Sequence, residues 1–307
     1  MLSYVIRRIL GSIPTLLIII TVAFFMMRLA PGGPLSEERV LPPEIEANVK
    51  AAYHLDKPLH QQYLIYMGNV LRGDFGPSYK VKDFTVTQLL WSGFPASLRV
   101  GGTAMLIAVL VGMTLGSIAA LRQNTGTDYA VMAGSMTGIT IPTFVTAPIL
   151  TLVFGVYLGW LPVGGWGGGA FQFVLLPILT LALPQIAYVS RLTRGSMIEV
   201  LRSNFIRTAR AKGLPDRVML SRHALKAALL PVVSYLGPAS AGILTGSVVV
   251  ETIFGIPGIG RYFVQGALNR DYTLVMGTVI FYGTLIVIMN LIVDLVYGLL
   301  DPKVKLG

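Results

Sequence analysis

The residues best suited to chemistry form the run RTARAKG, Arg207 to Gly213, followed by HAL, His223 to Leu225, between two apolar stretches. Arg207, Arg210 and Lys212 put cations on a helix-favouring segment, Thr208 lies among them, and Ala209 and Ala211 leave room for close contact. Ser203 or Asn204 can cap the helix near Phe205, and Gly213 with Pro215 stops it. A second helix resumes at Asp216. A loop so basic and so patterned is expected to hold something, and the partner expected is a separate protein that supplies energy. A short helix between two fixed spans is a lever: a push on it moves the spans without unfolding anything. The alternative is that its charge only enforces topology. Topology needs charge, however, and no glycine at a fixed place.

Three further sets carry groups that could act. Glu251 opens ETIFGIPGIG, where Gly255, Pro257, Gly258 and Gly260 force tight turns at an outer face. Its carboxylate could meet an amine on a passing substrate or anchor the turn, and anchoring is the favoured reading. Asn290 and Asp294 stand one turn apart on one helix face and are expected to point to a bundle interior. A structural bond from Asp294 to a neighbouring helix or a loop arginine is favoured over a substrate contact. His54 and His60 could hold a metal, but read more simply as surface residues.

The elements that must position these groups follow from composition. Of 307 residues, 54% are hydrophobic and 12% charged, and the mean hydropathy is +0.70. A soluble domain cannot keep that much apolar surface from water, whereas a bilayer requires it. A span needs about 20 mostly apolar residues. The pattern predicts six: Ile9–Leu29, Leu98–Leu121, Tyr129–Leu158, Phe173–Tyr188, Leu229–Phe254 and Leu274–Leu300, the fourth being the shortest. No small-residue cleavage site follows the first, so it is read as a retained helix. Cysteine is absent, which excludes disulfides and thiolate chemistry.

Charge sets the orientation. With both termini inside, 14 of the 24 lysines and arginines are cytoplasmic, nine of them between Arg191 and Lys226, with Lys303 and Lys305 at the end. The outer insertion, residues 30–97, is nearly neutral, so the positive-inside rule favours N-in and C-in. The net charge of +10 is thereby explained without nucleic acid, since the basic residues are bounded by spans and lack interleaved aromatics. The insertion opens with breakers at Pro31, Gly32, Gly33 and Pro34. Helix-like runs follow Pro42–Pro43 and Pro58, and Gly73 to Pro77 make a turn. It reads as a cap that receives a partner, closes a pore or simply packs over helix ends. The uncharged loop Gly159–Gln172, with Trp160 and Trp166, reads as a re-entrant or interfacial turn.

Small residues recur four apart at Gly112 and Gly116, Gly134 and Gly138, Gly242 and Gly246. Packing within the chain is favoured over a seam to another subunit. Pro142, Pro148, Pro177, Pro184, Pro231 and Pro238 are each expected to bend a helix and free carbonyls toward a cavity.

The loop resembles the cytoplasmic loop of importer permeases of the ATP-binding-cassette class, whose pattern is E-A-A-x-x-x-G followed by I-x-L-P. Gly213 and Ala209 are in register, and His223 and Leu225 hold the isoleucine and leucine positions. Arg207 replaces the glutamate, Thr208 the first alanine and Lys226 the proline. Together with IRRILGSIPTLL, RLAPGGP, HLDKPLHQQY, RGDFGPS, GSMIEVLRSNFIRTARAKGLP, ETIFGIPGIG and ALNRDY, this covers almost the whole chain. The likeness is to the peptide-permease branch, nearest its oligopeptide members, with dipeptides, nickel chelates or sugars as the alternative cargoes of the same class. It implies an all-α polytopic fold of about six transmembrane helices, like type I importer permeases. It also implies a bacterial cytoplasmic-membrane location, a second homologous permease subunit, two cytoplasmic ATPases gripping the coupling helices, and an extracytoplasmic peptide-binding protein. ATP and magnesium would be bound by the ATPases. The chain has no G-x-x-x-x-G-K-[ST] of its own. A gradient-driven transporter would need internal repeats and several central ionisable groups, and neither is evident. An intramembrane hydrolase fails for want of a base within a span, because His54, His60 and His223 all lie outside.

Overall fold

Backbone polar groups find no water in a hydrocarbon layer, so a chain crossing it must bond to itself as helix. The computed structural model describes residues 2–29, 51, 54–81 and 83–300, and its regular structure there is helical, with one isolated bridge between Pro77 and Thr85. The breakers at Pro31 to Pro34, the helix-like run after Pro42 and Pro43 (all but Ala51), and Lys303 and Lys305 fall outside the described residues.

Helix α1 spans Leu2–Leu29 and α2 Leu59–Val70. Helix α3 spans Val86–Leu121, α4 Gly126–Thr140 and α5 Thr143–Tyr157. Helix α6 runs Phe171–Leu201, α7 Asn204–Ala211, α8 Asp216–Ala228 and α9 Leu230–Leu244. The short α10, Val248–Phe254, and α11, Gly260–Leu268, lead to α12, Tyr272–Leu300. Helices α1, α3, α6 and α12 are each long and apolar enough to cross a membrane, and two bent pairs bring the number to six. On α1, Arg8 and Arg28 stand about 30 Å apart at helical rise, the thickness of the hydrocarbon core.

The spans differ from expectation where proline and capping act. The third is broken: α4 and α5 meet at 103°, with Pro142 starting α5 and Ile141 extended before it. The fifth bends by 50° where α8 meets α9, just before Pro231. Pro177 and Pro184, by contrast, sit inside α6 without interrupting it. The fourth span is therefore not the shortest. It continues well past Tyr188 as a helix of 31 residues, and 56% of its most apolar window is buried, against 11% for α1. The second span begins early, at Val86, because Thr85 and Gln88 cap each other reciprocally there.

The most buried contact is α3 on α6. A side chain at Gly112 would collide with Val189, and one at Gly116 with the Ser190 carbonyl and Thr193. The favoured reading of that pair, packing within the chain, therefore holds. Gly138 likewise approaches Ala187, whereas Gly134 and Gly242 open on free space. Around this seam Val100, Ala104, Leu176, Leu181, Ile243 and Phe254 form the main core.

Gly116→Leu is expected to destabilise the fold by about 1–3 kcal/mol through overpacking, and Gly134→Leu by less than about 0.5. Thermal unfolding of the two purified variants checks the contrast.

Candidate functional site: the cytoplasmic loop helix and its supports

Helix α7 has two unlike faces. Ile206 and Ala209, three residues apart, are buried with Ala120 of α3, Met197 of α6, and Met219, Ala224 and Ala228 of α8. Arg207, Thr208, Arg210, Ala211, Lys212 and Gly213 are exposed. The inner face thus clamps α7 to three neighbouring helices, and the outer face leaves cations and small residues exposed. The C-terminus closes as a Schellman motif: Leu214 N–H donates to Ala209 O at 3.3 Å and Gly213 N–H to Arg210 O at 2.9 Å. Gly213 takes φ +74° there, and the space around it is empty. The glycine is required by backbone conformation and not by crowding. Leu214 then turns inward against the same cluster.

The expected start of this helix is correct in place but not in bonding. Ser203 holds the capping position, yet its hydroxyl donates back to Val200 O at 2.6 Å. His223 is exposed on a wide, π-type turn of α8, and Leu225 packs into the cluster. The loop signature is therefore split between one outward and one inward residue.

A support that sequence reading missed lies beside it. Asp128, in the first turn of α4, is buried and accepts from Arg194 Nε and, at 2.7 Å, from Nη2. The Asn124 N–H donates to the same carboxylate at 2.9 Å. Arg202 Nη2 reaches Gln123 Oε1 at 3.1 Å. The turn between α3 and α4 is thus tied to α6 just before α7 begins. Arg194 counts as a topology charge in the sequence, and the only signal of a bond was an acid opening an apolar span.

The outer turn shows what Glu251 does. Its Oε1 accepts from Ser97 Oγ at 2.6 Å and its Oε2 from Gly260 N–H at 2.9 Å, while Ser97 Oγ accepts from Ile259 N–H at 2.9 Å. A side chain at Gly258 would strike the carboxyl, and Gly246 and Gly260 crowd it too. This buried carboxyl organises the turn, as the anchoring reading expected, with one donor on each oxygen. It sits on the separate helix α10, not at the end of α9. Gly255 ends α10 in a left-handed cap and Pro257 follows it. The loop Gly159–Gln172 docks here, through Gly165 N–H to Phe254 O at 2.7 Å.

Asp271 was also missed. It is buried and opens α12 by accepting from Leu274 N–H at 3.0 Å. It also accepts from Ser78 Oγ and, at 3.2 Å, from Lys80 N–H. It thereby fastens the GPS turn of the outer insertion to the start of the last helix.

Asn290 and Asp294 do share a face, but at a seam and not in the interior. Asp294 Oδ2 pairs with Arg8 Nη1 at 3.1 Å, the bond to a neighbouring helix that was favoured. Asn290 Oδ1 lies against Gly237 of α9. Both line an open groove of about 510 Å³ between α1, α9 and α12. Among the described residues no three metal-ligating side chains converge.

A short helix at one end of a bundle of up to six spans is thus held by its apolar face and keeps its cationic face exposed. Residues 112–306 match the family described as binding-protein-dependent transport system inner membrane component, and residues 1–96 match the N-terminal part of such membrane components. The chain belongs to this family. It is 57% identical over 99% of its length, and 100% of the relative's, to the oligopeptide transport system permease protein OppB of Salmonella typhimurium strain LT2. It is 45% identical over 100% of its length, and 99% of the relative's, to the dipeptide transport system permease protein DppB of Bacillus subtilis strain 168. A crystal structure of an amino acid ABC transporter with histidines shares the fold, with a TM-score of 0.54, 17% identity, and coverage of 69% of this chain and 94% of that one.

Two outcomes follow from this geometry. Gly213→Val forces a β-branched residue into a left-handed position at about 1–2 kcal/mol, enough to displace α7 about tenfold in population. The expected result is normal membrane insertion with ATP hydrolysis uncoupled from uptake, read by paired assays on the assembled complex. Ala209→Trp is expected to do the same by prising α7 from its cluster. Glu251→Ala leaves the Ser97 hydroxyl and Gly260 N–H without their acceptor and is expected to cost about 1–3 kcal/mol in thermal unfolding.

Proposed function

We propose that this chain is the membrane-spanning subunit of an importer that carries oligopeptides across a bacterial cytoplasmic membrane, powered by ATP hydrolysed on separate subunits. The observation that carries the reading is α7, with its buried Ile206 and Ala209 and its exposed cations. The likeness at 57% identity to an oligopeptide permease supports the cargo.

In this reading two cytoplasmic ATPases, which bind ATP and magnesium, dock beneath this chain and a second, similar permease subunit. Each grips one coupling helix. On this chain the grip falls on Arg207, Thr208, Arg210, Ala211 and Lys212, and the motion passes through Ile206 and Ala209 to α3, α6 and α8. Arg207 stands where such loops carry a glutamate, so the ATPase groove offers this helix a carboxylate or backbone carbonyls. An extracytoplasmic binding protein delivers the peptide. ATP-driven closure of the ATPases opens the pathway outward, and hydrolysis resets it. Both termini lie in the cytoplasm, in accord with the basic loop beside α7. The chain itself performs no chemistry on cargo or nucleotide.

The test is uptake of labelled dipeptides and tri- to pentapeptides in cells with and without the gene, with ATP and the proton gradient depleted separately. Loss of tri- to pentapeptide uptake on deletion, sensitive to ATP and not to the gradient, is expected. Loss of dipeptide uptake alone would reassign the cargo, and dependence on the gradient alone would overturn the coupling reading.

A further inference from the structure

Polar side chains at hydrocarbon depth gather beside α1. A groove of about 300 Å³ lies between α1 and α12, adjoins the groove already described, and shares Arg8, Asn290 and Asp294 with it. Arg7 and Arg8 line one end. Arg8 stands at the edge of the hydrocarbon core, about 30 Å along α1 from Arg28. Gly11 on α1 lies about 6 Å deeper than Arg7 at helical rise, and Asn290 on α12 lies as far below Asp294. Thr15 and Val287 line the deep end.

The chemistry of the lining changes with depth. At the edge Arg8 pairs with Asp294 at 3.1 Å, while Arg7 is exposed and forms no ion pair among the described residues. Two cations against one carboxylate leave the mouth positive. One turn deeper, Asn290 is exposed and makes no hydrogen bond among the described residues, although a polar side chain in hydrocarbon is costly unless it is bonded. Below that the walls turn apolar. Ser12 and Thr15 spend their hydroxyl protons on their own helix, at Ile9 O (2.7 Å) and Gly11 O (3.4 Å). Val287 and Leu291 supply the facing surface. A side chain at Gly11 would meet nothing within 4 Å, so the space beside it is open.

Cations at the membrane edge, an amide one turn below and apolar walls beneath it match the order of groups in a phospholipid. Its phosphate lies at the edge, its ester carbonyls just under it, and its chains deeper. We propose that the groove holds an anionic phospholipid, with its phosphate on Arg7 and Arg8, an ester carbonyl on the Asn290 amide and one acyl chain against Val287 and Thr15. The positive mouth favours a head without an ammonium group, phosphatidylglycerol over phosphatidylcholine. A helix of a second subunit could also fill a membrane groove, but it would have to bring an acid to Arg7, whereas lipid phosphates already stand at that level. The lipid would brace α1, whose most apolar window is only 11% buried. The site depends on the chain lying in a membrane and not on its cargo or energy source.

The experiment uses the complex of this chain with its partner subunits, purified and stripped of lipid. Native mass spectrometry reads binding as phosphatidylglycerol, or phosphatidylcholine of the same chains, is added. Phosphatidylglycerol is expected to bind saturably and phosphatidylcholine more weakly. Arg7→Gln is expected to weaken phosphatidylglycerol about fivefold. Gly11→Leu keeps both arginines but fills the groove, and is expected to abolish the saturable binding; attraction to surface charge alone would leave this variant like the native complex. Arg122→Gln removes an exposed arginine from the α3–α4 turn and is expected to change nothing. Thermal unfolding checks that the variants stay folded, and should Gly11→Leu not, the contrast between Arg7→Gln and Arg122→Gln decides. Equal binding of the two lipids overturns the proposal, as does equal binding by the native and Gly11→Leu complexes. So does a native complex that binds no lipid and loses its second permease subunit on Gly11→Leu, because the groove then belongs to a helix of that subunit.

Discussion

The glycine-mediated contact between α3 and α6 is the constraint on which the other elements depend. With backbone of one helix against backbone of the other at Gly112 and Gly116, the two behave as one spine. At helical rise, α3 spans about 35 Å from Ser97 to Ala120. Ser97 sits in the outer turn with Glu251, and Ala120 sits in the cluster that clamps α7. Both ends of the functional apparatus are therefore read from one rigid body. A displacement of α7 that moved this spine would reach the turn at Glu251 through one rigid helix pair.

Three buried carboxylates do related work at the ends of that body. Asp128 ties the α3–α4 turn to α6, Glu251 shapes the turn after α10, and Asp271 starts α12. Each accepts at least one backbone N–H, so each satisfies a donor that a helix end or turn leaves open. In a molecule whose helix ends crowd together beneath a headgroup layer, such donors compete poorly for water. A single carboxylate with two oxygens serves several of them at once, which explains why acids rare in the spans are common at their margins.

Much of this was legible in the residues. The limits of α7, the stop at Gly213 and the anchoring role of Glu251 follow from local chemistry: a left-handed residue at a helix end and glycines crowded around one carboxyl. The Arg8–Asp294 bond was legible as a class, since a charge in a span demands a partner. The length of α6 was not. Arg191 and Arg194 look like the end of a span, but the helix runs on past them to Leu201, and Arg194 bonds the buried Asp128. The break at Pro142 was legible as a bend, but not its size of 103°, because hydropathy is indifferent to direction. Asp128 and Asp271 were missed because their partners lie far along the chain, and no local pattern records a bond closed by folding.

The position of α1 has a consequence for how the molecule is made. It precedes the other described helices along the chain, and it packs chiefly on α12, the last of them. Arg8 and Asp294 are separated by nearly the whole chain. At ordinary synthesis rates α1 must wait on the order of tens of seconds before its partner helix exists. During that interval it stands alone in lipid, a lodger in the bilayer before it belongs to the protein. Both α3 and α6 exist by then, so the Arg8–Asp294 bond can close only after the seam between them has been able to form.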